Sequence, residues 1–239
     1  MKRRVDPNDP LVKRIKKWKN DQGIISLTLD ELKKKVKGQD VIIEQEVEGQ
    51  SALLRYEARE QPQFASSSGV VLEDLPVLYD VFRNLKSKSI KTATMVGELA
   101  GYVDGKIVPL NETLSLIKNP GSDKSKIHWF PYQILEMDGE EFGEEFETYK
   151  KTWPQLKKIF QNSRCVHPVE DYRGVDNIDK AWKELVEKGK NEGIVVRASN
   201  NKIYKCKSRK PKGYRCGSPA TQRMAKTVVA AWIEQNFLR

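Results

Sequence analysis

The sequence predicts an α+β fold in which antiparallel strand pairs pack with helices. Two tight-turn dipeptides, Asp104-Gly105 and Asp138-Gly139, follow apolar or alternating segments, as in β-hairpins. Other segments carry apolar residues at helical spacing, so strands and helices are mixed along the chain. Neither a Gly-x-x-x-x-Gly-Lys-Ser/Thr loop nor a Gly-x-Gly-x-x-Gly turn is present, which argues against a P-loop or Rossmann nucleotide site.

The length and the charge indicate one folded domain with a polyanionic partner. The chain has 239 residues, enough for a single domain over 1–239, and a net charge of +10 with a pI near 9.3. Residues 202–239 carry ten Lys or Arg against one acid, Glu234. Because Lys and Arg contacts to phosphates dominate affinity for nucleic acid, this segregation favours a nucleic-acid-binding face over uniform solubilising charge.

The cysteines predict reduced thiols. Cys165, Cys206 and Cys216 are odd in number and lack Cys-x-x-Cys spacing, and His128 and His167 do not complete an obvious zinc site. No signal peptide follows Met1, and no apolar run reaches the length of a membrane span. We therefore expect a monomer without membrane contact, in the cytoplasm or another reducing intracellular compartment.

The segment from Val41 to Gly49 is the most informative part of the chain. Its carboxylates, Glu44, Glu46 and Glu48, share one face of a predicted strand, since side chains repeat with period two. Three like charges in a row repel, so cations are expected opposite them. Gly49 then lets the backbone pass close to a ligand before a second strand.

Other elements follow from capping, spacing and turns. Thr28 and Glu31 form a capping box that starts a helix to about Lys37. Glu57–Gly69 is polar and predicts a loop, and Leu75–Leu85 predicts a helix with Tyr79 among its core residues. The remaining predictions are a hairpin over Thr92–Val108, a strand over Ile127–Met137, helices over Glu144–Phe160 and Ile178–Lys188, and terminal helices over 10–19 and 220–237.

Two predicted strands near the end of the chain carry candidate phosphate-binding and metal-binding side chains. Glu192–Arg197 is a short apolar strand, and Lys202–Lys207 returns as its partner after an Asn200-Asn201 turn. Alternation places Lys205 and Lys207 on one face of the returning strand. Lysines that neutralise phosphate oxygens, with carboxylates that hold a divalent ion, suit polyphosphate chemistry; strand-end ion pairs are the alternative.

Four motifs in order resemble the nucleotidyltransferase, or adenylation, domain of ATP-dependent polynucleotide ligases, which mRNA capping enzymes share in outline. The resemblance extends from about residue 28 to 210. The motifs, which resemble III, IIIa, IV and V of that family, are Gly97-Glu98-Leu99, Tyr132-Gln133-Ile134-Leu135-Glu136-Met137-Asp138-Gly139, Glu192-Gly193-Ile194-Val195-Val196-Arg197 and Lys205-Cys206-Lys207.

The resemblance implies an ATP-grasp-like core that holds ATP, and AMP after reaction, between two antiparallel sheets with flanking helices. It implies that Glu44 contacts the adenine amino group, Tyr132 stacks on adenine and Glu98 lies near the ribose. It also implies that Lys205 and Lys207 contact the α-phosphate and that Glu192 binds Mg²⁺ or Mn²⁺. Gly49 and Arg55 complete the implied nucleotide site.

The family's lysine nucleophile is missing. Motif I, Lys-x-Asp-Gly in the family, aligns with Glu46-Val47-Glu48-Gly49, and no lysine lies between Gly38 and Lys86. A carboxylate is no amine nucleophile, and it repels the α-phosphate by about 4 kcal/mol at about 4 Å and an effective dielectric near 20. Self-adenylation should therefore fail. The change is either engineered or natural, and the other intact motif positions favour an engineered one.

The resulting hypothesis is the catalytic domain of an ATP-dependent DNA ligase of the kind used in DNA replication and repair. Such an enzyme joins 5′-phosphate and 3′-hydroxyl ends of nicked DNA through enzyme-AMP and an adenylylated polynucleotide. Ser51 and the segment Ser66–Gly69 are closer to RNA ligases, so nicked RNA is the alternative substrate. A non-catalytic module that binds nucleic-acid ends or ATP is the second alternative. About thirty residues after motif V are too few for a complete oligonucleotide-binding barrel.

Overall fold

The structure is a computed structural model that describes Asp6, Lys13, residues 24–189 and residues 191–208. Residues 24–207 belong to one compact unit, Met1–Lys207. The predicted helices over 10–19, apart from Lys13, and 220–237 lie outside the described residues, as does most of the basic segment 202–239. The prediction of one domain over 1–239 therefore stays a prediction.

Strands and helices are interspersed along the described part of the chain. The strands are β1 (Ile24–Ser26), β2 (Val41–Glu46), β3 (Gln50–Glu57), β4 (Gln63–Ser66), β5 (Val71–Leu72), β6 (Thr92–Val103), β7 (Lys106–Ile107), β8 (Ile127–Met137), β9 (Glu140–Glu141), β10 (Asp171–Arg173), β11 (Gly193–Ala198) and β12 (Ile203–Lys207). The helices are α1 (Leu29–Lys35), α2 (Val77–Ser87), α3 (Leu110–Lys118), α4 (Phe146–Phe160) and α5 (Ile178–Ala181), with a π-helical continuation over Trp182–Lys188. None of the helices in the described ranges has the length and apolarity that crossing a membrane needs.

Two sheets confirm the α+β prediction. The first has the order β1-β12-β11-β2-β10, and the second has the order β5-β4-β3-β6-β8-β9 with β7 paired to β6. All pairs are antiparallel except β1 and β12, which run parallel with Ile24 opposite Ile203. The prediction of two antiparallel sheets is therefore confirmed, with one parallel pair at the β1 edge that residue alternation could not indicate, because alternation carries no information on strand direction.

The predicted turns are confirmed by backbone geometry. Asp104 and Gly105 have φ of 50° and 77°, and Asp138 and Gly139 have φ of 52° and 87°. Positive φ at both central residues is what a two-residue hairpin requires, because that twist matches the twist of the flanking strands. The Thr28–Glu31 capping box is present as well. Local sequence therefore fixes where these strands and this helix begin or turn.

Three predictions differ from the structure. The predicted loop over Glu57–Gly69 contains β4, whose Phe64 is fully buried opposite Leu54 of β3. The strand was not predicted because most of the residues around Phe64 are polar. Tyr79 is 77% exposed rather than part of the core, because α2 turns this position outward. The third difference is the change from α- to π-helix after Ala181.

The described core contains a large cluster, a smaller one and a third group of four buried residues, Leu53, Ala65, Val96 and Leu135. The large cluster packs α2 and α4 against the second sheet and includes the fully buried rings of Phe64, Trp129 and Trp153. The smaller cluster lies between the first sheet and the helices α1 and α5, and it includes Tyr204 and Cys206. Burial of these two residues confirms the predicted inner face of β12, and it leaves Lys205 and Lys207 on the opposite face.

Asp80 of α2 holds the segment that follows α4 against the core. Its Oδ2 accepts the Ser163 hydroxyl and the backbone N–H groups of Arg164 and Cys165, the latter two at 2.8 and 2.9 Å. Burial works to raise the pKa of Asp80, but these hydrogen bonds and the charge of Arg83 outweigh it and lower the pKa. The ionised carboxylate is therefore the form that stabilises the fold.

We expect Asp80→Asn to lower the free energy of unfolding by about 1–3 kcal/mol, because an amide nitrogen replaces an acceptor that three donors use. Denaturant unfolding measures this. Since the pKa is lower in the folded state than in the unfolded state, the difference between the two proteins should shrink as pH falls through the carboxyl range. Arg83→Ala is the control, because it removes only a half-exposed ion pair worth about 0–1 kcal/mol. Equal losses for both variants would contradict this account.

Candidate nucleotide site between the sheets

Alternation along β2 turns two carboxylates to one side and apolar residues to the other. Ile43 packs in the smaller core, whereas Glu44 and Glu46 are buried with cations, at 2% and 6% exposure. The predicted basic partners are therefore confirmed for these two positions. Glu48 does not share the face, because β2 ends at Glu46.

Glu44 forms a buried ion pair with Arg197 of β11. The Arg197 Nε donates to Glu44 Oε2 at 2.9 Å, and the Tyr149 hydroxyl of α4 donates to Oε1. The guanidinium also lies over the Tyr149 ring, 4.0 Å from its centroid. Burial raises the pKa of Glu44, and the charge of Arg197 only partly offsets this. Burial works to lower the pKa of Arg197, but the charges of Glu44 and Tyr149 and the hydrogen bond to Glu44 together outweigh it and raise the pKa.

Glu46 forms ion pairs with both lysines of β12. Its Oε1 lies 3.1 Å from Lys205 Nζ and 3.4 Å from Lys207 Nζ. Lys207 Nζ also donates to Glu192 Oε1 at 2.8 Å. Burial works to lower the pKa of Lys207, but the hydrogen bond to Glu192 and the charge of Glu46 outweigh it and raise the pKa. The four side chains thus form a compact, neutral ion cluster.

Two glycines permit this packing. A Cβ at Gly49 would lie 2.7 Å from the Leu99 carbonyl oxygen and 2.9 Å from Glu98 Cβ. A Cβ at Gly193 would lie 2.2 Å from the Cys206 carbonyl oxygen and 2.8 Å from Glu46 Oε2. Real Cβ atoms do not approach so closely, so any side chain at either position would push the strands or the carboxylates apart.

A cavity between the sheets brings several predicted site residues together. Its lining includes residues of β2, β6, β8, β11 and β12, namely Glu44, Glu46, Glu98, Tyr132, Val195, Arg197 and Lys205. Glu98 accepts a hydrogen bond from Ser51 Oγ at 2.7 Å. Burial and the charge of Glu98 raise the pKa of Tyr132 well above its usual value. The lining therefore joins an aromatic ring, carboxylates and a lysine.

Other predicted site residues lie outside that lining. Lys207 reaches the site through Glu46, and Gly49 contributes only close backbone contact. Arg55 lies on β3 opposite Thr94. Glu192 lines a separate cavity beside Glu48, Lys106 and Lys188. No cluster of three or more His, Cys, Asp or Glu side chains suited to a metal occurs in the described ranges, so a metal at Glu192 stays a prediction.

Sequence reasoning missed the partners of Glu44. The charged side chain of Arg197, at the end of an otherwise apolar strand, is a local signal that this strand faces an acid. Tyr149 offers no such signal, because it is separated from Glu44 by 105 positions and lies on a helix. The hydrogen-bonded pair of His128 and His167, at 2.8 Å, was also missed.

One end of this site offers side chains of the types that adenine needs, in a cavity of about 70 Å³, and the other end does not suit ATP. Tyr132, Val195 and Glu44 offer a ring, an apolar wall and an acceptor of the kinds that adenine needs. At the other end, the Glu46 carboxylate forms ion pairs with Lys205 and Lys207, the lysines that the resemblance assigns to the α-phosphate. Position 46 itself carries a carboxylate where the resemblance implies a lysine amine. The residues at position 46 and around it therefore do not fit ATP as a reactant.

Comparisons with solved structures show the same fold in DNA ligases. The chain resembles a mycobacterial DNA ligase D complexed with ATP, with a TM-score of 0.56, 14% identity, and coverage of 78% of this chain and 60% of that one. The ligase domain of M. tuberculosis LigD gives 0.51, 15%, 84% and 60%, and a Lig E DNA ligase gives 0.50, 14%, 79% and 69%. The chain thus spans about 60% of the first two. No protein-family model and no curated protein matches the sequence. The fold is that of the nucleotidyltransferase domains of ligases.

We expect Arg197→Met to lower the free energy of unfolding by about 3–5 kcal/mol, because it leaves the Glu44 carboxylate buried without its cation. Adding Glu44→Gln should recover a large part of this loss, since the uncompensated charge is then gone. Chemical denaturation of both variants gives the coupling energy. Lys150→Ala, which breaks an ion pair of partly exposed side chains with Asp40, is the control and should change stability by about 0–1 kcal/mol. Strictly additive losses in the double variant would contradict the pairing.

Proposed function

We propose that this chain is the nucleotidyltransferase domain of an ATP-dependent DNA ligase in which Glu46 blocks self-adenylation. The observation that carries the proposal is that Glu46 forms ion pairs with both Lys205 and Lys207. These residues lie in a chain that has the fold of DNA ligases. The reaction of such ligases joins 5′-phosphate and 3′-hydroxyl ends through enzyme-AMP. ATP, a divalent cation such as Mg²⁺ and nicked nucleic acid are the implied cofactors and partner.

The ion cluster explains the block in two ways. A carboxylate cannot replace the lysine amine as the nitrogen nucleophile. It also neutralises Lys205 and Lys207, the charges that would draw a polyphosphate into the site. Because the α-phosphate and Glu46 carry the same sign of charge, their repulsion adds about 4 kcal/mol at about 4 Å and an effective dielectric near 20. We infer that the unmodified chain forms no covalent nucleotide adduct.

The remaining positions support the ligase assignment. Lys205 and Lys207 share one face, Tyr132 and Glu98 line the cavity, and Gly49 lets the β2–β3 connection approach β6. Each of these positions matches the corresponding motif in residue type. With Glu46 set aside, the site therefore has the groups that bind a nucleotide in this fold.

We expect Glu46→Lys to gain covalent label from α-labelled ATP and Mg²⁺, while the unmodified chain stays unlabelled. The lysine restores a nitrogen nucleophile within reach of the β12 lysines. Retention of label through denaturing electrophoresis measures the adduct. Glu46→Arg is the matched control: it brings the same positive charge, but its guanidinium is always protonated and is no nucleophile. Label on the unmodified chain, or no label on correctly folded Glu46→Lys, would overturn the proposal.

We propose DNA rather than RNA as the substrate. The segments Tyr132–Gly139 and Glu192–Arg197 resemble DNA ligase motifs, and the three solved structures described above are DNA ligases by name. Ser51, which hydrogen-bonds to Glu98, is closer to RNA ligases. Sealing of matched nicked DNA and nicked RNA by Glu46→Lys separates the two, and equal inactivity on both would remove the sealing function.

A second candidate is a module that binds nucleic-acid ends without chemistry. The observation in its favour is that the ion cluster is already neutral, so the site needs no nucleotide for charge balance. The net charge of +10 then serves binding alone.

For this second candidate we expect binding to a nicked duplex with a steep salt dependence, because each neutralised phosphate adds about −0.9 to the slope of log K against log salt in B-DNA. Fluorescence anisotropy at several salt concentrations measures the slope. Sealing by Glu46→Lys is the discriminating result: the candidate requires that this variant gain none. A slope near zero would exclude both candidates.

A further inference from the structure

Two histidines that are separated by 39 positions in the sequence meet in the structure. His128 lies on β8, and His167 lies in the segment between α4 and β10. The His128 Nδ1 and His167 Nε2 atoms are 2.8 Å apart, and the two rings stack with their centroids 5.0 Å apart and their planes inclined by 21°. The chain has no other histidine, so the fold brings all of its imidazole groups to one place.

Backbone hydrogen bonds hold both histidines in position. His128 pairs with Ala100 of the neighbouring strand β6. The His167 N–H donates to the Trp129 carbonyl oxygen at 2.8 Å, and the Trp129 N–H donates to the Cys165 carbonyl oxygen at 2.9 Å. The segment around His167 therefore runs alongside β8, and the two backbones fix the separation of the histidines before any ligand binds.

Aromatic side chains hold the two imidazole rings while leaving them accessible. The Tyr102 ring centroid lies 4.8 Å from that of His128 and 5.1 Å from that of His167, and the Phe130 centroid lies 5.4 Å from that of His167. Both imidazoles are half-buried. Tyr102, Phe130 and His167 also line a cavity of about 630 Å³, so water can reach the pair from that side.

The protonation of the pair leaves lone pairs available. Burial, the larger cause, lowers the pKa of His128 to about 4, and burial also lowers the pKa of His167. Both rings are therefore neutral near pH 7. One of the two facing nitrogens donates its hydrogen to the other, but a neutral imidazole can carry its hydrogen on either ring nitrogen. If the donor ring moves its proton to its outer nitrogen through water, two lone pairs face each other.

The distance between the facing nitrogens suits a metal ion with a right-angled coordination geometry. Bonds from imidazole to such metals are about 2.0–2.1 Å long, so two bonds at a right angle place the nitrogens about 2.8–3.0 Å apart, whereas a tetrahedral angle needs about 3.3–3.4 Å. The observed 2.8 Å agrees with the right angle. Ni²⁺ and Cu²⁺ adopt such geometries with nitrogen ligands.

We infer that His128 Nδ1 and His167 Nε2 form a binding site for a divalent late transition metal such as Ni²⁺, with water in the remaining coordination positions. Rotation of the two rings aims both lone pairs at one point. The hydrogen bond that is lost joins two neutral groups and contributes little to stability. Mg²⁺ prefers oxygen ligands and should not bind here. The inference does not depend on ligase chemistry, because neither histidine belongs to the ion cluster of Glu46.

The direct test is NMR of the imidazole signals during titration with Ni²⁺ near neutral pH. Because the chain has two histidines, these signals report on His128 and His167 alone. Ni²⁺ should change the signals of both residues together, whereas Mg²⁺ at the same concentration should change neither. This measurement uses the unmodified chain and needs no variant to fold. Ni²⁺ is the probe because, unlike Cu²⁺, it does not oxidise thiols.

Calorimetric titration of variants tests whether both nitrogens bind the same ion. His128→Gln and His167→Gln should each raise the Kd for Ni²⁺ at this site by at least about tenfold, because the second nitrogen of a fixed pair binds at a high effective concentration. Cys165→Ser is the control, since it removes a nearby thiol and should leave the Kd unchanged. Thermal unfolding without metal establishes that each variant is folded.

Three results would overturn the inference. The first is an unmodified chain whose imidazole signals do not respond to Ni²⁺, or respond equally to Mg²⁺. The second is a Kd that stays unchanged in either folded histidine variant, and the third is loss of binding in folded Cys165→Ser. No nucleotide or covalent adduct enters these measurements, so their failure is distinct from failure of the adenylation proposal.

Discussion

The buried ion pair between Glu44 and Arg197 is the constraint on which the arrangement of the site depends. Both groups are almost fully removed from water, so each needs the other to offset desolvation. The Tyr149 hydroxyl completes the coordination of Glu44 and ties the first sheet to α4, which packs in the core of the second sheet. One pair thereby fixes the position of β2 and β11 relative to that helix.

The Glu44–Arg197 pair differs from Glu46, the next carboxylate along β2, in the solvent exposure of the partner cations. Glu44 has partners that are themselves buried, and its role is to hold strands together. Glu46 is equally buried, but its partners Lys205 and Lys207 remain accessible to water. Exchange of partners is therefore feasible at Glu46 and unfavourable at Glu44. The same strand thus carries one carboxylate paired with a buried cation and one paired with cations that water can reach.

Much of the fold could be predicted because its signals are local. Turn dipeptides such as Asp104-Gly105, the Thr28 capping box and the alternation of β12 depend on a few neighbouring residues, and all are confirmed. The failures depend on distant partners. The strand β4 exists because β3 covers Phe64, and the direction of β1 is set by β12.

The same difference between local signals and distant partners applies to the candidate site. Alternation predicted that Glu44 and Glu46 needed cations, and the paired lysines were predicted to share a face. The identity of the Glu44 partners was not predictable, because Tyr149 lies on a helix far along the chain and no local pattern marks it. Motif resemblance supplied roles for Glu98, Tyr132 and Glu192 that alternation alone does not contain.

Backbone geometry and reactivity are specified here by different residues. Close approaches at Gly49 and Gly193, together with apolar alternation, set the distances between strands. The chemistry depends on which side chain extends from position 46 over Gly193. A lysine side chain at this position would be one atom longer than that of glutamate and would reverse the charge beside Lys205 and Lys207. The fold therefore sets where position 46 lies relative to β12, while the residue at that position sets the charge beside Lys205 and Lys207.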